Sequence, residues 1–136
     1  MDAKERIVRD FYAARAEGDW DAACALLTPD VIWRESDGNL DYSGAHHGRD
    51  TVACLLAKFD EITDGTFSLE PRELICTAEH VAANVRWRAE RNGTHVEGND
   101  LAVYRIRNGQ IAEASFFPDG FDPEALAKVF SFAAGE

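Results

Sequence analysis

The sequence predicts an α+β domain in which helices come first and a mostly antiparallel sheet follows. Three observations carry this reading. Apolar residues recur at helical spacing between Ile7 and Phe59. From Phe67 to Pro118 the period becomes two. Asn92-Gly93 and Asn108-Gly109 each separate two alternating runs, which is the strongest short-range hairpin signal. In that order of elements the helices cover one face of a curved sheet.

The first helix carries Ile7, Val8, Phe11, Tyr12 and Ala16 and ends at Gly18, a residue favoured just past a helix C-terminus. Asp19 caps a second helix with Trp20, Ala23, Cys24 and Leu27, which Pro29 stops. Val31 to Glu35 alternates apolar with polar and reads as a short strand. Ser36 to Gly48, rich in Gly, Asp, Asn and Ser, reads as a loop. A third helix begins near Asp50, places Val52, Leu55, Leu56 and Phe59 on one face, and ends near Asp64-Gly65. Four strands follow over Phe67–Cys76, Val81–Arg91, Thr94–Arg107 and Gln110–Pro118, the last three forming a meander. Asp122-Pro123, a cap and a first-turn proline, opens a final helix that buries Leu126, Val129 and Phe130. No repeat or linker interrupts residues 1–136, so they form a single domain.

With 136 residues, 46% of them hydrophobic, the chain supports one core. Fourteen Lys and Arg against 25 Asp and Glu leave a net charge of −11, which repels nucleic acid and anionic membranes alike. The longest apolar runs, Ala22 to Leu27 and Val52 to Ala57, fall far short of the roughly 20 residues of a membrane span. Asp2, Lys4, Glu5 and Arg6 do not make a secretory signal. Cys24, Cys54 and Cys76 are odd in number and widely spaced, so they are expected to be reduced and buried in a cytoplasmic protein.

Alternation sorts the strands into faces. Arg105 and Arg107 must be solvated, which turns Tyr104, Ala102 and Asp100 inward. By the same rule Val81, Ala83, Val85, Trp87 and Ala89 share a covered face, as do Ala112, Ala114 and Phe116, whose small alanines leave room for a hollow. Trp33 and Glu35 point together. A carboxylate beside Trp33 and Trp87 loses hydration, which tunes it toward proton transfer near neutral pH. Two readings stay open for each acid: Glu35 lies in the hollow or reaches solvent at its strand end, and Asp100 points inward or is returned to water by a bulge.

His46 and His47 stand in the predicted loop, one exposed and the other at the pocket mouth as a cap, acid, base or donor. Their spacing is not that of a metal site. Asp119 either caps the turn after the last strand or edges the pocket. No phosphate-binding glycine loop and no GxSxG elbow occurs, so no nucleotide cofactor and no acyl-enzyme chemistry is expected.

The opening "IVRDFYAARAEGDWDAACALLTPDVIW", the signature "HHGRDTV" and the closing "LAVYRIRNGQIAEASFFPDGFDP" resemble the nuclear transport factor 2-like superfamily, in particular its SnoaL-like and ketosteroid isomerase-like branch. The resemblance implies a cone-shaped fold in which a strongly bent sheet wraps around helices and encloses an apolar pocket. The general-base aspartate of the isomerases falls on Glu35. Their tyrosine and aspartic acid oxyanion donors fall on Phe11 and Ala102, and the final-strand acid of the SnoaL-like cyclases falls on Phe116.

The expected function is a cofactor-independent acid/base enzyme of the cyclase, isomerase, dehydratase or epoxide-opening type. Glu35 would act on an apolar, polycyclic or terpenoid substrate held by Trp33, Phe59, Trp87, Tyr104 and Phe116, with His46 or His47, Asp100 and Tyr12 as auxiliary donors. The other expectation is a non-catalytic binding or interaction module. In either case a homodimer is expected through the outer sheet face, where alternation places Leu101, Val103, Ile111 and Phe117 among Arg86, Arg88 and Glu113.

Overall fold

The computed structural model describes residues 2–36 and 40–132. Helix α1 (Ala3–Ala16) is capped by Asp2, whose carboxylate accepts the Lys4 N–H at 2.7 Å. The short α2 (Trp20–Ala25) is capped by Asp19. Strands β1 (Leu27–Glu35) and β2 (Gly44–His47) precede α3 (Arg49–Ile62). Then come β3 (Ser68–Cys76), β4 (His80–Arg91), β5 (Thr94–Arg107), β6 (Gln110–Pro118) and α4 (Pro123–Phe130). Asp122 caps α4 by accepting the N–H groups of Glu124 and Ala125.

The six strands form one sheet in the order β2-β1-β6-β5-β4-β3. Every neighbouring pair is antiparallel except β1 and β6, which run parallel. Both Asn-Gly pairs close two-residue hairpins: Asn92 and Asn108 have φ of 51° and 52°, and their glycines 80° and 78°. Positive φ at both central residues matches the twist of the flanking strands. The helices pack on the concave face over a core that includes Val8, Phe11, Trp33, Leu56, Val85 and Tyr104. The alternation predicted for β4 holds throughout: Val81, Ala83, Val85, Trp87 and Ala89 are all buried.

Four expectations need correction. Pro29 does not stop α2; it lies inside β1, where the pairing with β6 shifts register between Leu27 and Ile32 and no ladder donor is needed. The segment predicted as a loop contains β2, an edge strand with no apolar alternation to betray it; residues 37–39 of that segment lie outside the described residues. Ile111 is fully buried, because the register shift between Arg105 and Ile106 turns it inward against Leu27. Cys54 is exposed on α3, and Cys24 and Cys76 are only partly buried.

Candidate functional site

Strand β1 presents Trp33 and Glu35 to the concave face, and the parallel neighbour β6 sets Ala114 beside Trp33 and Phe116 beside Glu35. The Trp33 and Phe116 rings stack with centroids 4.6 Å apart. Trp33 Nε1 donates to Glu35 Oε2 at 2.7 Å, so the carboxylate is anchored by a neutral donor on its own strand. Across the sheet Trp87 Nε1 donates to Asp100 Oδ1 at 3.2 Å. The β4–β5 ladder runs unbroken through Asn99 and Asp100, so no bulge turns Asp100 away.

Glycine at position 98 is required here. A Cβ there would lie 2.7 Å from the Gly120 carbonyl oxygen and 2.8 Å from Trp87 Cζ2. The bare backbone lets the segment after β6 cross close to β5, where Asp119 N–H donates to the Asn99 carbonyl at 2.7 Å. That crossing hangs Phe121 over the concave face.

These side chains line a partly open pocket of about 50 Å³. Glu35, Asp100 and Arg15 supply its charged groups; Trp33, Phe59, Phe67, Trp87, Phe116 and Phe130 make most of its apolar wall.

Among the described residues the cavity brings together six predicted site residues: Glu35, Asp100, Trp33, Phe59, Trp87 and Phe116. Phe11, Tyr12, Ala102 and Tyr104 lie outside its lining, in the packed core. The Tyr12 and Tyr104 hydroxyls are 2.5 Å apart and bond to each other. Burial pushes the Tyr12 pKa up to about 12, opposed by the bond to Tyr104 and by the charge of Arg15. Burial also holds Tyr104 well above the ordinary tyrosine value of 10.0. Both phenols are thus neutral.

Neither histidine lines the cavity. His46 pairs with Trp33 and its Nε2 donates to the Tyr42 carbonyl at 2.7 Å, while His47 pairs with Ile32 and is exposed. Asp119 is exposed and holds the turn through its backbone. Among the described residues no group of three His, Cys, Asp or Glu side chains could hold a metal ion. No helix there is long and apolar enough to cross a membrane.

Sequence reasoning missed Arg15. Its signal is visible: Val8, Phe11, Tyr12 and Arg15 fall at i, i+3, i+4 and i+7, so a charged residue continues the buried stripe of α1. Its guanidinium stacks on Phe11 and Trp33, with Cζ 5.5 and 5.8 Å from the ring centroids.

Comparison with solved structures supports the same architecture. A protein of unknown function with a cystatin-like fold from Xanthomonas campestris is 26% identical with a TM-score of 0.84, over 96% of this chain and 99% of that one. TerC, co-crystallised with polyporic acid, is 20% identical with a TM-score of 0.79, over 94% and 98% of the two chains. A ketosteroid isomerase-like fold protein from Catenulispora acidiphila, in complex with trimethylamine, is 16% identical with a TM-score of 0.71, over 82% and 83%. No curated protein matches. The SnoaL-like domain model matches residues 8–114, and with a helix-covered curved sheet of this strand order the chain belongs to the SnoaL-like branch of the nuclear transport factor 2-like superfamily.

Proposed function

We propose that this small-molecule-binding domain is a cofactor-independent enzyme in which Glu35 takes and returns a proton on an apolar substrate. The observation that carries the proposal is the convergence of Glu35 and Asp100, each held by an indole N–H, on one cavity with aromatic walls. A carboxylate oriented by a neutral donor keeps its basic oxygen directed at the ligand, and the apolar walls exclude the water that would compete for the proton. Asp100 orients the substrate from the opposite side. Three unpaired cysteines fit a cytoplasmic setting.

The test is incubation of the protein with apolar ketones, enones and epoxides in deuterated water, followed by mass spectrometry. Deuterium incorporation or conversion by the native protein, lost in Glu35→Gln with folding intact, supports the proposal. Turnover that survives Glu35→Gln removes Glu35 from the mechanism.

A second reading, an interaction module, has its own observation. Leu101 and Phe117 are ladder partners on the outer sheet face and remain 45% and 46% exposed. An apolar pair at that place suits a homodimer. Sedimentation of a monomer at all concentrations would exclude it.

A further inference from the structure

The acid/base reading leaves open which group receives the negative charge when Glu35 takes a proton. The two indole N–H groups of the cavity wall are engaged with Glu35 and Asp100. The Tyr12 and Tyr104 hydroxyls bond to each other, and His46 is spent on a carbonyl. Phe11 and Ala102 carry no donor. Arg15 differs from all of these. It lines the cavity, its Nε is buried without a hydrogen-bond partner, and among the described residues it forms no salt bridge. Arg34 and Arg105, by contrast, share Glu113, as arginines with a structural task do.

The guanidinium is held in place by stacking, not by an anion. It lies over the Trp33 ring, and the edge of the same ring holds Glu35. Base and cation are thus fixed to one indole, with the donor fork of the cation still available to a ligand.

We infer that Arg15 is the oxyanion-binding group of this site, the donor to the carbonyl oxygen of a substrate that Glu35 deprotonates at the neighbouring carbon. The inference rests on the acid/base role of Glu35. Glu35 removes the proton from the carbon; the C–H electron pair becomes the new C=C bond, and the carbonyl π pair moves onto oxygen. Arg15 donates to that oxygen. Return of the proton from Glu35 to carbon reverses the electron flow, so no oxidant or reductant is needed. The net charge of the site is unchanged throughout, because the charge lost by Glu35 appears on the oxygen that faces Arg15.

The experiment uses 4-nitrophenol, a single-ring phenol whose coloured phenolate imitates the enolate. Its ionisation is titrated by visible absorbance with native protein, Arg15→Met, Arg15→Lys and Glu35→Gln. The expected result is about a tenfold shift toward phenolate on binding to native protein, one pH unit. Arg15→Met abolishes the shift and Arg15→Lys keeps part of it, which also covers a failure of the methionine variant to fold. Glu35→Gln keeps or increases the shift, since it removes a negative charge, while it abolishes deuterium exchange. A shift that persists in Arg15→Met, or native protein that does not bind the phenolate, overturns the assignment of Arg15. A shift dependent on Arg15 with exchange untouched by Glu35→Gln overturns the base and leaves the anion site standing.

Discussion

Trp33 and Glu35 stand two residues apart on one face of β1, and the indole N–H of the first holds the carboxylate of the second at 2.7 Å. Because both belong to one strand, their distance is set by the pleat and not by loop geometry. Trp33→Phe keeps an aromatic ring in the stack with Phe116 but removes the donor. A hydrogen bond to a charged group contributes about 1.5–3 kcal/mol, so kcat should fall by roughly tenfold or more. Steady-state kinetics checks this; an unchanged kcat would make the bond dispensable.

The Tyr12–Tyr104 pair predicts non-additive stability. Tyr104→Phe leaves the Tyr12 hydroxyl buried without its partner, at a cost of about 1–3 kcal/mol. Replacing both by Phe should cost less than the sum of the single changes, with a coupling of about 0.5 kcal/mol or more in denaturant melts. Strict additivity would contradict the bond.

The same pair predicts a loss of stability in alkali. Both folded-state values lie above the ordinary 10.0, so the unfolded chain releases these protons first. Stability from the pair is fully present below pH 10.0 and declines as pH rises from there through the raised folded values. Double Phe replacement should flatten that decline in melts taken across the range.

Gly98→Ala puts a methyl group against the Gly120 carbonyl and the Trp87 ring, both under 3 Å away. Overpacking of this kind costs about 1–3 kcal/mol. Because the displaced segment carries Phe121, ligand affinity should fall together with melting temperature. A normal melting temperature would mean that the crossing is looser than described.

Glu113 bonds Arg34 at 3.0 Å and Arg105 at 3.3 Å, and the Arg34 bond comes first among the causes that hold its pKa below the ordinary 4.5. The stabilisation is present above that value and is lost as pH falls through the lowered folded one. Glu113→Gln should therefore narrow the gap between neutral and acid stability, read from melts on either side of that range.

Most of the sheet was legible in the sequence because its middle strands are buried on one face and solvated on the other. Period two survives intact from Val81 to Ala89, and Asn-Gly at two places fixes both hairpin registers. What escaped was local. A proline in β1 was legal only because a register shift, set by β6 far along the chain, removes the need for its N–H. Ile111 was assigned outward because alternation cannot foresee the irregularity beside Ile106. The edge strand β2 needs no alternating pattern, since it has one neighbour and a solvated side. At the site, strand parity put Glu35 and Asp100 on the covered side but left open whether each carboxylate reaches solvent; the Trp33 and Trp87 indoles that hold them lie beyond what parity shows. Arg15 was not legible, because a single charge within an apolar helical stripe reads as a snorkelling surface residue until the rings beneath it are located.

The parallel seam between β1 and β6 bears on how the chain acquires its shape. Arg34 and Glu113, bonded across that seam, are 79 positions apart. A nascent chain therefore carries its first strand with one flank unsatisfied until the last strand leaves the ribosome, and closing so long a loop is slow. During that wait the open flank of β1 is a strand edge available for pairing with another chain.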